Sequence, residues 1–357
     1  MKKQPFLFAI SGVKNSGKTT LITKLIPLFK KYGLCTATIK HDGHEFEADV
    51  PGTDTYRHLQ AGAYGTAVFS GSKYMIIKQQ EAVSEEMLAF CFPEADIILL
   101  EGFKYSSYPK IELVRRENSE KTICREYQLM AVAADFQIKQ DSDKAIPVLD
   151  LNDTEGIAEF ILDYWFIKTK LSMTILAGGL SSRMGVDKAD LKYKGKTFLQ
   201  IQIEKGKQLG IEEILVSGYR GKECTECIVR DRYPQKGPLG GLDAAFRKSK
   251  REYSLIITVD VPLVTVEVLR TLITDFRKSR MLGDGQPIRV VKHGERLEPL
   301  LGIYEVSLAD LIEMEIEGGK GRVFRVLEKA GYDVSESPVP EEIFENINDP
   351  ESYEKLK

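Results

Sequence analysis

The chain has 357 residues, 43% of them hydrophobic, with 50 Lys and Arg against 53 Asp and Glu and a formal net charge of −3 at pH 7. That length suits two ordinary domains, and the apolar share supports packed cores and excludes a disordered chain. Through Lys170 there are 21 basic against 23 acidic residues and afterwards 29 against 30, so neither half has the basic excess of a non-specific nucleic-acid binder.

In chain order, Met1-Lys2-Lys3-Gln4-Pro5 is basic, but the apolar run behind it ends at Ser11 and enters a glycine loop. A signal peptide has a longer apolar region and a small-residue cleavage site. No stretch reaches the roughly 18 apolar residues of a membrane span, and a cytoplasmic protein is expected. Residues 6–11 read as a strand. Residues 19–31 read as a helix on the spacing of Leu21, Ile22, Leu25, Ile26, Leu28 and Phe29, with Pro27 expected to bend it. Apolar runs at 35–39, 66–70, 96–100, 111–114 and 129–134, several separated by helical segments, predict an α/β domain with a largely parallel sheet.

Asp153 and Thr154 open an amphipathic helix running to about residue 167, and 168–172 reads as a short polar linker. Met173 begins a second strand-like run, after which strand, glycine loop, helix and strand recur. Two domains are therefore expected, 1–167 and 173–357. The five cysteines, at 35, 91, 124, 224 and 227, are an odd number and read as free thiols in a reducing compartment. Cys224 and Cys227 have redox or zinc spacing, but no second pair and no nearby histidine.

Gly12-Val13-Lys14-Asn15-Ser16-Gly17-Lys18-Thr19 fits G-x-x-x-x-G-K-[ST] between a predicted strand and a predicted helix. Backbone N–H groups of Gly12, Lys14, Asn15, Ser16 and Gly17 are placed to converge on phosphates at the positive end of the helix. Lys18 reaches the β/γ-phosphates and the Thr19 hydroxyl ligates Mg²⁺. A second carboxylate is expected at a neighbouring strand end, where Glu101 follows Ile97-Ile98-Leu99-Leu100. His41 and His44 stand in a polar stretch after the second strand; metal ligation, contact with an anion and a plain loop role all remain open.

The second glycine loop, Leu176-Ala177-Gly178-Gly179-Leu180-Ser181-Ser182-Arg183-Met184-Gly185-Val186-Asp187-Lys188, ends neither as a P-loop nor as a dinucleotide fingerprint. A backbone wrap followed by Arg183 and Lys188 suits a triphosphate attacked at its α-phosphate, with both cations offsetting charge on the leaving pyrophosphate. Gly237-Pro238-Leu239-Gly240-Gly241 reads as a loop entering a helix, with glycine where a base or ribose can press on the backbone. The buried run 255–259 delivers Asp260 to the C-terminal edge of the sheet, as a Mg²⁺ ligand. Asn346 and Asn348, on alternate positions, point the same way from an extended backbone.

Two resemblances follow from these motifs. The P-loop together with Ile39-Lys40-His41-Asp42, Pro51-Gly52-Thr53-Asp54-Thr55-Tyr56-Arg57, Leu100-Glu101-Gly102-Phe103-Lys104 and Pro147-Val148-Leu149-Asp150-Leu151-Asn152-Asp153 resembles the molybdopterin-guanine dinucleotide biosynthesis adaptor family over residues 1–165. It implies a P-loop domain that binds GTP, hydrolyses it weakly and assists a guanylyltransferase. Residues 173–357 resemble the molybdenum cofactor guanylyltransferase family. That implies a Rossmann-like nucleotidyltransferase moving GMP from Mg·GTP to the terminal phosphate of molybdopterin, with pyrophosphate released. The nucleotide is then held by Leu176, Ala177, Gly178, Lys188, Asp231 and Asp260, and Asn346 and Asn348 fall on the pterin side. The Gly178-Gly179 pair favours guanylyl over cytidylyl transfer. Partners implied are GTP, the molybdenum cofactor, and cofactor-accepting apo-enzymes with their chaperones.

Ser217 departs from a base-contacting asparagine and Leu180 from a frequent basic residue, which leaves base contact open. The alternative is a sugar- or polyol-phosphate nucleotidyltransferase with an attached P-loop binding or kinase domain, for which Arg115, Arg116 and Arg125 are available lid arginines.

Overall fold

The structure, a computed structural model, describes residues 4–42, 46–118, 121–124, 128–138, 146–178, 187–221, 224, 226–319 and 321–356. The chain divides into two compact units, Met1–Ala158 and Glu159–Lys357, each α/β in class.

The first unit runs β1 (Phe6–Gly12), α1 (Lys18–Lys31), β2 (Thr36–Lys40), α2 (Asp54–Gln60), β3 (Gly65–Phe69), β4 (Tyr74–Lys78), α3 (Glu85–Ala89), β5 (Ile97–Glu101), β6 (Lys110–Val114), β7 (Leu129–Ala134) and β8 (Val148–Asp150). Six strands form a parallel sheet in the order β2-β5-β1-β6-β7-β8. Its central strands are covered, so Phe8, Ala9, Ile10 and Ile97 to Leu100 are all inaccessible and read as unbroken apolar runs. Helix α1 turns Leu21, Ile22, Leu25 and Phe29 inward and continues through Pro27. The apolar run at 66–70 does not join this sheet. Ser70 N–H donates to Lys73 O at 2.8 Å, folding β3 back onto β4 as a separate antiparallel ribbon.

Helix α4 (Thr154–Lys170) starts where Asp153 Oδ1 accepts from Gly156 N–H at 2.8 Å. The polar stretch 168–172, expected as a linker, is not a loop. Its lysines end the helix, Lys168 pairing with Glu212 at 3.1 Å and Lys170 with Glu252. Leu171 and Ser172 are already buried in the next strand, and the compact units part inside α4 instead. Polar composition marked a solvated helix end there rather than a connection.

The second unit continues with β9 (Leu171–Leu176), β10 (Lys192–Tyr193), β11 (Lys196–Thr197), α5 (Phe198–Leu209), β12 (Ile214–Ser217), β13 (Cys227–Val229), α6 (Pro238–Lys248), β14 (Tyr253–Thr258), α7 (Val266–Leu282), β15 (Ile288–His293), β16 (Arg296–Glu305), α8 (Ala309–Glu317), α9 (Val323–Ala330), β17 (Asp333–Glu336) and α10 (Pro350–Leu356). The main sheet has the order β13-β12-β9-β14-β16-β15-β17. Strands β13, β12, β9 and β14 are parallel, β16 is antiparallel to both its neighbours, and β17 is parallel to β15. A capping box of Thr197 and Gln200 fixes the start of α5. The second half of α4 packs here: Phe166 stacks on Tyr253 at 5.4 Å, and the buried Arg277 of α7 donates through Nε to Asp163 at 2.6 Å and through Nη2 to Glu159. Among the described residues no helix is long and apolar enough to cross a membrane.

Candidate functional site

In the first unit the chain leaves β1 into the P-loop at Gly12. A side chain there would meet Leu113 O at 2.6 Å, and φ is +138°, so only glycine fits the turn. Ser16 is buried, Lys14 and Asn15 face solvent, and Gly17 starts α1 in the left-handed region. Lys18 Nζ donates back to Val13 O at 2.7 Å and Gly12 O at 3.3 Å, across the loop it serves. Burial pushes the Lys18 ammonium below its ordinary pKa; Glu101 counters this, while Lys104 and Lys40 add to it. Thr19 Oγ1 donates to Glu101 Oε1 at 2.7 Å, so hydroxyl and carboxylate stand together although 82 residues apart.

Two residues that the sequence did not tie to the P-loop hold it. Arg115 Nε donates to Ser16 O at 3.1 Å, and Asn118 Nδ2 to Asn15 O at 2.7 Å. Arg115 also faces Asp135 at 3.5 Å, and Arg116 lies over the Phe136 ring. Both arginines therefore have local partners; Arg125 lies outside the described residues. The only signal for Arg115 was a basic residue directly after a buried strand. His41 meets the edge of Phe103 at 5.7 Å, and His44 lies outside the described residues. Among the described residues no three His, Cys, Asp or Glu side chains gather as a metal site.

In the second unit β9 and β12 deliver Leu176, Ala177 and Gly178 to one sheet edge, where Ala177 N–H donates to Ser217 O at 2.8 Å. Gly178 and Gly218 touch backbone to backbone: a side chain on Gly218 would stand 2.5 Å from Gly178 Cα. Gly179 and Arg183 lie outside the described residues. Asp231 accepts from Ser217 Oγ at 2.8 Å, so the serine found in place of an asparagine orients a carboxylate of the proposed nucleotide side. Gly237 has open space where a side chain would be, whereas Gly240 and Gly241 are closely packed. They are buried in α6 against Tyr233 O and Ser217 Oγ, because this helix packs its glycine face onto the strand ends.

Lys188, Asp260, Asn346 and Asn348 come together. Lys188 Nζ donates to Asp260 Oδ2 at 3.1 Å and to Asn348 Oδ1. Thr258 Oγ1 donates to Asp260 Oδ1 at 2.6 Å. With its amide oriented to suit both neighbours, Asn346 donates to Asp260 Oδ1 at 3.3 Å and accepts from Arg296 Nη2 at 3.3 Å. Between the two asparagines Ile347 points into the core, and its N–H donates to Asp260 O at 2.8 Å. A cleft of about 290 Å³ opens beside them, lined among others by Glu298, Pro299 and Phe344. His293 ends β15; it is buried, stacked on Phe344 at 4.3 Å, with Nε2 3.0 Å from Glu298 Oε1. Arg296 and Glu298 had no sequence signal, being two alternate residues of a long strand.

Asp260 supplies one carboxylate and the asparagines supply amides. Mg²⁺ is commonly held by one or two carboxylates while substrate phosphates complete its shell, so this donor set fits a metal that arrives with a nucleotide. Thr19 and Glu101 fit in the same way beside the P-loop.

Residues 7–135 match the family described as Molybdopterin guanine dinucleotide synthesis protein B, and residues 173–333 match the MobA-like NTP transferase domain. The first half is 33% identical over 165 residues to the molybdopterin-guanine dinucleotide biosynthesis adapter protein of Escherichia coli strain K12, covering 44% of this chain and 92% of that protein. The second half is 33% identical over 199 residues to a probable molybdenum cofactor guanylyltransferase of Clostridium perfringens strain SM101, covering 52% of this chain and 96% of that protein. It is also 29% identical over 185 residues to a probable molybdenum cofactor guanylyltransferase of Aquifex aeolicus strain VF5, covering 51% and 87%. With a P-loop on one sheet and a nucleotidyltransferase cleft on the other, the chain belongs to both families: it is a bifunctional molybdenum cofactor biosynthesis protein, an adapter-family domain followed by a nucleotidyltransferase of the guanylyltransferase family.

Proposed function

We propose that the second unit transfers GMP from Mg·GTP to the phosphate of molybdopterin, while the first binds GTP at its P-loop and assists. The relatives' names supply the substrate pair. The observation that carries the reading in this chain is the meeting of Lys188 with Asp260 and Asn348, beside a cleft lined by Asp260, Asn346 and Asn348, at the sheet edge where α/β proteins bind ligands. Leu176, Ala177, Gly178 and Gly179 wrap the nucleotide, with Asp231 and Gly237 at its far side and Asn346 and Asn348 toward the pterin. Asp260 would hold Mg²⁺, which when bound offsets the charge of the phosphates and of the departing pyrophosphate. Lys188 adds positive charge at the same place, and Arg183 is assigned the same task on its sequence alone. An oxygen of the molybdopterin phosphate bonds to the α-phosphorus as the α–β bridge breaks, and that bond's electron pair leaves with pyrophosphate. The attacking phosphate is already ionised at neutral pH, so no side chain has to act as a base. Transfer is assigned to residues 173–357, with the second half of α4 as part of their fold, and the adapter role to residues 1–167. Apo-enzymes that receive the cofactor, with their chaperones, are the partners implied, and the cytoplasm is the setting.

Incubation with Mg·GTP and molybdopterin should yield the guanine dinucleotide and pyrophosphate in equal amounts. Equal use of CTP or ATP, or of a sugar phosphate as acceptor, would defeat the reading. Excess EDTA should stop the reaction and added Mg²⁺ restore it; turnover that persists in EDTA would remove Asp260 from a metal role. Lys18→Ala should weaken GTP binding at the first unit by ~10-fold or more, since a hydrogen bond to a charged group contributes about 1.5–3 kcal/mol. Calorimetric titration should then lose one of two GTP sites while transfer stays at its original rate. A parallel fall in transfer would mean that the P-loop takes part in catalysis.

A further inference from the structure

Asp260 stands on a turn that its own strand does not support. β14 ends at Thr258 and Pro262 has no N–H, so carbonyls in this stretch point where the ladder offers no donor. The backbone supplies part of the missing support, Val264 N–H donating to Val261 O at 3.4 Å and Ile347 N–H to Asp260 O at 2.8 Å, and two buried side chains on one face of α5 supply further donors. Gln202, wholly inaccessible, donates through Nε2 to Thr258 O at 3.0 Å and Val261 O at 3.1 Å. Its Oε1 accepts from Lys205 Nζ at 3.0 Å, and Lys205, 8% exposed, also donates to Pro262 O at 2.9 Å. The three carbonyls of Thr258, Val261 and Pro262, which flank Asp260, thus accept from one amide and one ammonium.

An ammonium buried without a carboxylate among these partners is costly, and burial pushes Lys205 down to about pKa 7. A methionine would fill the same space at lower cost if packing were the sole requirement. Helix α5 is moreover well anchored without it, through the Thr197–Gln200 capping box and the buried Phe198, Leu199 and Leu209. The remaining role is the turn itself, whose backbone sets the direction of the Asp260 carboxylate.

We propose that Gln202 and Lys205 are positioning residues for transfer: they lock the Thr258–Pro262 turn so that Asp260 is presented to the metal already oriented. The proposal rests on the reading of Asp260 as the Mg²⁺ ligand. Partners that orient a metal ligand are typically worth ~10–100-fold in metal affinity or activity, and Lys205→Met should show a loss in that range.

In the full-length chain, Lys205→Met is expected to lower kcat by ~10-fold while KM for GTP stays within about twofold, because the nucleotide's other contacts are untouched. Mn²⁺ titration of the GTP-loaded chain, followed by electron paramagnetic resonance, should show weaker metal binding. Backbone amides of Val259, Asp260, Val261, Leu263 and Val264 should exchange with deuterium faster, with the melting temperature unchanged or raised. Wild-type kcat, Mn²⁺ affinity and exchange in Lys205→Met would overturn the proposal, as would a lower melting temperature with wild-type turnover per folded molecule. If Lys205→Met does not fold, Lys205→Gln, which keeps an N–H donor, is read by the same three measurements. Asp260→Asn separates the two levels: full activity in that variant sinks the metal-ligand reading, whereas a dead Asp260→Asn beside an unaltered Lys205→Met sinks only the positioning role.

Discussion

Asp260→Ala is expected to reduce guanylyl transfer by ~10³-fold or more, since metal stabilisation of transition-state charge is worth several kcal/mol and about 4 kcal/mol corresponds to three decades of rate. The side chain has no substitute nearby. Among the described residues of its cleft, the other carboxylate is Glu298, held by Arg296 at 2.8 Å and His293 at 3.0 Å. The fold should tolerate the change. Asp260 is only partly buried, its hydrogen bonds with Thr258 and Lys188 lie at the cleft surface, and the Ile347 N–H bonds to its backbone rather than to its carboxylate. The measurement is pyrophosphate release beside a thermal melt of the same sample. More than a tenth of wild-type turnover in a folded variant would remove Asp260 from the chemistry.

The second large effect concerns where the transferase begins. Arg277 is fully buried and answered by Glu159 and Asp163, both on α4, with Thr274 Oγ1 also donating to Asp163 at 2.6 Å. Removing the buried side of such a pair costs about 3–5 kcal/mol, the lower end applying here because Glu159 keeps Lys278 at 3.6 Å and Asp163 keeps Thr274. Arg277→Ala should therefore lower the melting temperature of the second unit by ~10 °C, taking about 2–4 °C per kcal/mol for a unit of this size. A chain starting at 173 suffers more. It lacks both carboxylates, the Phe166 ring stacked on Tyr253, and the Leu171 and Ser172 positions that pair with Tyr253 and Ser254. Such a fragment should be insoluble or molten, whereas one starting at 154 should fold and carry transfer. A stable, active 173–357 fragment would show that α4 contributes little to this unit.

How much was legible in the sequence differs by residue. Gly12 to Thr19 and Leu176 to Gly178 are contiguous, and each announces itself by the order strand, glycine, helix or strand, glycine. Asp260 was legible because it directly follows the buried apolar run 255–259. The pairing of Asn346 with Asn348 was visible as alternation along an extended segment, since side chains two apart share a face. The linker at 168–172 was misread because surface lysines look alike on a loop and on the last turn of a helix.

By itself, then, the sequence determined the two families, the two glycine turns that follow strands and the carboxylates beyond strand ends, because those signals are local in spacing. Only the tertiary structure decided which groups meet. Lys188 reaches Asn348 across 160 residues, Arg115 holds Ser16 across 99, and Gln202 caps the carbonyl of Val261 across 59. No periodicity encodes these contacts. They arise where strand ends converge and leave backbone carbonyls and carboxylates that burial forces to find partners.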